Sequence, residues 1–186
     1  MRSSLGLGFA AVMLSLVMIP QAGASLLVEP YLGYHVGNET IGSPSTSVAL
    51  NGVTFGGRVG FQKLGFMAGG DLMTGSWNQA GTSTMASSTG TPTDLGVFAG
   101  YNFPVLIRVY GVYGLSSQFK STQAGVNSTT SGTDMKLGVG FTMFPLISIN
   151  LEYITGTYTK TNAGPITPNT TTSLFGVTVS VPLTFF

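Results

Sequence analysis

Cysteine is absent from the 186 residues, and charge nearly so: Lys, Arg, Asp and Glu together make up 7% of the chain. No disulfide framework, cysteine-built zinc site or lipid-carrying cysteine is therefore available. A soluble domain carries charge on about a quarter of its residues, several times the density found here. Seven Lys and Arg against six Asp and Glu leave a formal net charge of +1. That is too few and too scattered a set of cations for a nucleic-acid footprint, so no nucleic-acid partner is expected. It is also the wrong balance for disorder, which goes with high net charge and few aromatics. Long apolar runs are missing too. Leu5 to Ile19 is apolar or small throughout but stops at Pro20, short of the roughly 20 residues of a membrane helix. The stretch from Leu137 to Leu151 is broken by Pro145.

The N-terminus is read as an address. Arg2 gives a positive start, the apolar stretch follows, and Ala22-Gly23-Ala24 is a small-x-small cleavage site. The expected division is a signal peptide over 1–24, with cleavage determined by Ala22 and Ala24, and one domain over 25–186. Without Arg2, six cations face six anions.

The rest of the chain is rich in Gly, Ser, Thr and Asn, with 27 glycines in all. Gly60-Phe61, Gly100-Tyr101 and Gly140-Phe141 recur at a spacing of forty residues, each just before a short connection. Phe103-Pro104-Val105-Leu106-Ile107 and Phe144-Pro145-Leu146-Ile147 share a pattern. Uncharged polar segments near 38–50, 77–92, 120–132 and 160–172 read as long loops. Between them the chain alternates with period two, which is the pattern of a strand, where successive side chains point to opposite faces. Val53, Phe55, Gly57, Val59 and Phe61 share a face, as do Leu95, Val97, Ala99, Tyr101 and Phe103. The same holds for Met135, Leu137, Val139, Phe141 and Met143, and for Phe175, Val177, Val179, Val181, Leu183 and Phe185. Eight strands are expected, near 26–37, 51–62, 64–76, 93–103, 107–119, 133–143, 147–159 and 173–186. Each is long enough for a tilted membrane strand. Val112 and Ile154 break the alternation in the fifth and seventh.

An eight-stranded barrel could be soluble, with its apolar face inside, or inverted, with that face in lipid. The charges discriminate. Glu29, Arg58, Asp71, Asp94, Arg108, Asp134, Lys136 and Glu152 all share the parity opposite the aliphatic and aromatic series. Glu39, Lys63, Lys120 and Lys160 fall in loops, turns or strand ends. Eight charges on an outer surface fall well short of the roughly 25–35% that suits water. The same parity is full of glycine (Gly33, Gly56, Gly60, Gly69, Gly96, Gly100, Gly138, Gly140 and Gly156), which suits a narrow lumen. The apolar face is therefore read as the lipid face. Phe61, Phe66, Phe103, Phe141 and Phe185 lie beside short turns or the C-terminus, and Tyr34, Trp77 and Tyr113 toward the long loops. That is a two-girdle arrangement. Only helices and closed barrels satisfy every backbone group in lipid, so an all-β, eight-stranded antiparallel up-and-down transmembrane barrel follows.

The opening strand Leu27-Val28-Glu29-Pro30-Tyr31-Leu32-Gly33-Tyr34, the Gly-aromatic strand ends and the closing Phe185-Phe186 resemble the small outer-membrane barrels. These are the family of the outer-membrane-protein-A transmembrane domain and the opacity-like proteins. The resemblance implies residence in a Gram-negative-type outer membrane with both termini periplasmic, among outer-membrane lipids and lipopolysaccharide. It also implies assembly by the barrel machinery, with Phe185 or Phe186 as the signal that is read. No downstream periplasmic domain is expected, so a cell-wall-binding role is not carried over.

The inward charges are expected to form a luminal network with ion pairs Glu29–Arg58 and Lys136–Glu152. His35 has the inward parity as well. Catalysis would need it to join Asp71, Ser76 or a loop serine, and Tyr34-His35-Val36-Gly37-Asn38 does not match the lipid-A-modifying barrels. No catalytic set, cofactor or metal site is expected. The expected role is structural or surface contact, with a narrow channel for small or amphipathic solutes as the alternative, and a lipid-modifying enzyme after that.

Overall fold

The computed structural model describes residues 23–42, 45–81, 87–123, 126–144 and 146–185. The expected signal peptide up to Ala22, and Phe186 at the other end, lie outside the described residues, as does the side chain of Met143. Ala24 is exposed, and the first strand begins at the next residue.

Among the described residues, nine strands make one antiparallel sheet: β1 (Ser25–Ile41), β2 (Thr46–Lys63), β3 (Phe66–Gln79), β4 (Ser88–Asn102), β5 (Ile107–Gln123), β6 (Val126–Phe144), β7 (Ile147–Thr161), β8 (Gly164–Ser180) and β9 (Leu183–Phe185). Each pairs with the next in sequence as far as β8, and β1 pairs with β2, β8 and β9, which closes the sheet on itself. The barrel has eight staves, because β9 continues β8. Tyr31 faces Ser180 and Val28 faces Leu183 in one unbroken register. The last strand is thus divided at Val181-Pro182, a correction to one continuous strand over 173–186. Proline has no N–H to give the ladder, and the Val181 N–H bonds the Pro30 carbonyl at 3.0 Å beside the break.

The strands run well beyond the expected bounds. Most of the polar segments read as loops are paired strand, so the connections opposite the short turns are long hairpins. Ser, Thr and Asn continue the ladder because pairing, not side-chain apolarity, satisfies the backbone there. The turn between β2 and β3 is two residues, Leu64 and Gly65, both at positive φ (51° and 88°). That is the primed-turn geometry that matches strand twist.

The apolar series points out of the barrel. Phe55, Val97, Leu137, Val139, Leu151, Phe175 and Val177 are each about half exposed or more, while all eight charges of opposite parity are buried inside. Val112 and Ile154 fit once the interior is seen, since both are buried within it. The aromatic girdle needs one correction. Phe66, Tyr101 and Phe103 form an outer edge-to-face cluster near the short turns, with ring centroids 4.7 and 4.9 Å apart. Tyr34 and Tyr113 lie outside toward the hairpins, but Trp77 is buried in the bore against Phe119. It shares the parity of Asp71 and Met73, and that pattern outranks its nearness to the hairpin end.

The outward face of β4 gives a direct test. Val97→Arg should cost ~2–4 kcal/mol near the bilayer midplane and block assembly. Asp94→Asn, inside the bore, should be milder. Folded yield, read from the mobility of unboiled samples in a gel, checks both.

Candidate functional site: a charge network inside the bore

The interior is filled by side chains. Nearer the short turns, Leu27, Met67, Phe98, Tyr110 and Val112 form one apolar cluster. Toward the hairpins, Tyr31, Leu50, Met73, Trp77, Phe119, Ile154, Tyr158 and Leu174 form another. Interleaved with both is a network centred on Arg58 of β2, which is fully buried.

Arg58 reaches three carboxylates from three staves. Nη1 donates to Glu29 Oε1 at 3.2 Å, Nε to Asp71 Oδ2 at 3.0 Å and Nη2 to Glu152 Oε1 at 2.8 Å. Its guanidinium lies between two tyrosine rings, 4.7 Å from the Tyr31 centroid and 4.0 Å from that of Tyr110. Arg108 grips Glu29 with both terminal nitrogens, at 2.8 and 2.6 Å. A planar fork suits a carboxylate in this way, and a lysine could not replace it. Lys136 Nζ lies 3.3 Å from Asp71 Oδ1 and 3.3 Å from the Tyr31 hydroxyl. The Tyr110 hydroxyl donates to Glu152. Arg58, Arg108 and Lys136 thus balance Glu29, Asp71 and Glu152.

Of the two expected ion pairs, Glu29 and Arg58 are in contact. Lys136 and Glu152 are not partnered: Lys136 meets Asp71 across the bore, and Glu152 takes Arg58, Tyr110 and His35. Similar placement on adjacent strands suggested the wrong pair: in the ladder Lys136 faces Ile154 and Glu152 faces Gly138, and the tilt of the staves brings distant strands together at the axis.

His35 is fully buried, with Nε2 3.2 Å from Glu152 Oε2 and Nδ1 3.1 Å from Thr54 Oγ1. Ser76 faces outward on β3, so it cannot join His35. Histidine, acid and hydroxyl do meet in His35, Glu152 and Thr54, but none of the three has a surface from which a substrate could reach it. Among the described residues, no set of three or more His, Asp and Glu side chains is gathered to hold a metal ion.

Asp94 and Asp134 stand apart from the network, on β4 and β6. Ser117 donates to Asp94, and Asp134 Oδ1 is buried with no hydrogen-bond partner. Glu39, expected in a loop, is in β1 and faces the bore near its hairpin end, where Gln79 Nε2 donates to it at 2.5 Å. Its outward neighbours Asn38 and Thr40 are polar, so it lies above the apolar band. Burial raises the carboxyl above its usual range, and the Gln79 bond offsets part of the rise. Sequence reading missed Tyr31, Thr54, Tyr110 and Ser117 as members of the site. For Tyr31 and Tyr110 the signal was available: each shares the parity of a charge two residues away.

A family model described as the outer membrane protein beta-barrel domain matches residues 9–181. The chain belongs to that family. It is therefore an outer-membrane barrel protein. Among solved structures it is similar to Neisserial surface protein A (NspA), at 14% identity and a TM-score of 0.60, covering 86% of this chain and 98% of that one. It is also similar to Ail, the attachment invasion locus protein of Yersinia pestis, at 10% identity and a TM-score of 0.59, covering 84% of this chain and 98% of that one. At such identities the likeness establishes the fold alone. No curated protein sequence matches significantly.

Removing the central cation tests the network. Arg58→Met should cost ~3–5 kcal/mol, because the carboxylates it leaves are stranded in a desolvated bore. Arg58→Lys should recover only part of that, since one ammonium cannot meet three acceptors from three staves. Denaturant unfolding of the barrel in micelles or vesicles would measure both.

Proposed function

We propose that this outer-membrane barrel has a structural and surface-contact role, with its bore serving as a solid strut rather than a passage or an active site. The observation that carries the reading is the filled interior. Two buried apolar clusters and a charge-balanced network interlock to occupy it. Eight-stranded bores have room only for interlocking side chains, and ions crossing here would have to displace an arginine held by three carboxylates. The buried setting of His35, Thr54 and Glu152 argues against catalysis in the same way.

In this reading the signal peptide is removed after Ala24, and the termini and short turns face the periplasm. The terminal aromatics guide assembly, and lipid and lipopolysaccharide surround the outward apolar band. The long hairpins then stand in the external medium. Ail has been seen in complex with the heparin analogue sucrose octasulfate, but this chain has little with which to hold a polyanion. Lys120 and Lys160 are the exposed cations of the described hairpin strands. Its contact surface is instead uncharged hydroxyl and amide, with bonds such as Thr122 Oγ1 to Asn127 Oδ1 at 2.7 Å and Thr89 Oγ1 to Asn78 Oδ1 at 3.0 Å. The partner class that suits it is a neutral hydrogen-bonding surface.

The protein should fractionate with the outer membrane and migrate differently before and after boiling; recovery from the soluble periplasm would end the reading. In planar bilayers it should give no discrete conductance steps. Cutting the four hairpins to minimal turns should leave folding intact and reduce attachment to surfaces or cells, and unchanged attachment would count against the contact role.

A further inference from the structure

Three buried carboxylates are left outside the balanced network: Glu39, which Gln79 bonds, and the pair Asp94 and Asp134. Asp94 and Asp134 are 6% and 7% exposed, and neither forms an ion pair among the described residues. Lys136, two residues from Asp134 on the same face, is already engaged by Asp71 and Tyr31. An isolated ionised carboxylate is costly to bury unless something compensates it.

The local backbone is built around the pair. β5 runs between β4 and β6, and its register shifts on both sides within 114–117. Leu115 and Ser116 both face outward, so the inward series passes from Val112 and Gly114 to Ser117 and Phe119. Bulges re-aim side chains in this way. Without the bulge Ser117 would point into lipid; with it, its hydroxyl donates to Asp94 and lies 3.2 Å from the Tyr158 hydroxyl. On the other side, Asp134 faces Gly114 directly in the ladder, and its unpartnered Oδ1 lies over that glycine, where a β-carbon would collide with it. The free oxygen is therefore directed toward β5, the side on which Asp94 and Ser117 stand.

We propose that Asp94 and Asp134, with the Ser117 and Tyr158 hydroxyls, form a luminal binding site for a hard divalent cation, calcium above all, on the hairpin side of the charge network. Every donor is oxygen, which selects hard cations over zinc or copper. Calcium accepts irregular sets of oxygens completed by water, whereas magnesium demands a near-ideal octahedron. With two carboxylates the affinity belongs with the weak sites of extracellular modules, at about 10⁻⁴–10⁻³ M. The cation would neutralise Asp94 and Asp134, which are in ion-pair contact with neither the arginines nor the lysine, and would tie β4 to β6 across the bulge.

The chain carries its own reporter, because its one tryptophan, Trp77, belongs to the same buried cluster as Tyr158. The whole barrel, refolded in zwitterionic detergent and freed of metal with a chelator, would be titrated with calcium chloride and followed by Trp77 fluorescence and calorimetry. Saturable binding is expected, weakened about tenfold or more in Asp94→Asn and in Asp134→Asn, and unchanged in Glu39→Gln, which removes a luminal acid outside the site. A wild-type barrel with no saturable calcium response would overturn the proposal. So would Asp134→Asn binding like wild type, or a loss that follows Glu39→Gln instead. Should neither Asn variant fold, the wild-type denaturation midpoint decides: calcium must raise it, and equal midpoints with and without calcium would be a refutation.

Discussion

Hydrocarbon offers no partner to a peptide N–H or carbonyl, and the rest of this molecule follows from that. A sheet that must satisfy its own backbone in lipid has to close, and eight staves closed on themselves leave a bore that only side chains can occupy. The ladder is interrupted within the barrel at the β5 bulge, and again at its margin. Pro182 falls at the short-turn end, and the Val181 N–H finds the Pro30 carbonyl beside it. Once the outer face belongs to lipid, the charged residues have nowhere to go but inward. Once inward, they must find one another.

Space inside is shared by matching large residues to glycine. Tyr31 faces Gly56, Tyr110 faces Gly138, His35 faces Gly176 and Arg108 faces Gly140, each pair directly opposite in the ladder. A β-carbon on any of these glycines would meet its partner's side chain. Directly opposed residues stand only ~5 Å apart, and a tightly curved sheet crowds them further on its concave side. At these four positions glycine makes room for a large neighbour, whereas at Gly37, Gly60, Gly69, Gly75 and Gly132 a β-carbon would meet the backbone of the adjacent strand. Outward glycines differ: Gly57, Gly70 and Gly111 have nothing nearer than 3.5 Å to where a β-carbon would be.

Much of this was legible because β1, β2 and β3 keep a single register from end to end, so parity read in one part of a strand holds throughout. The luminal set and the lipid-facing set both came from that regularity. Reading failed where regularity fails. The β5 bulge reverses parity between Gly114 and Ser117, and no residue type there announces it, so Ser117 was invisible as a partner of Asp94. Val112 and Ile154 seemed misplaced only because the interior was taken to be polar, while it contains two apolar clusters. The partner of Lys136 was beyond reach for a different reason. Contacts across the axis depend on stave tilt and stagger, which pairwise alternation does not encode. The hairpins were read as loops because their composition is polar, although threonine and serine pair well in a ladder that has left the hydrocarbon.

The network's arrangement bears more on uniqueness than on raw stability. Buried ion pairs often gain little over well-packed apolar residues of the same volume, yet breaking one by removing a partner is expensive. Here that asymmetry acts on the register of the staves. Arg58 must meet Glu29 of β1, Asp71 of β3 and Glu152 of β7 together. Sliding any of those strands by one residue would turn its charge out into lipid and an aliphatic side chain into the bore, because side-chain direction has period two. A slip by two would keep the faces but separate guanidinium from carboxylate by about 7 Å. An all-apolar bore could tolerate that second error; a balanced set of three cations and three anions cannot. The charges therefore specify one closure among several that hydrophobicity alone would permit, and a repetitive, glycine-rich sequence with few other landmarks needs such a device.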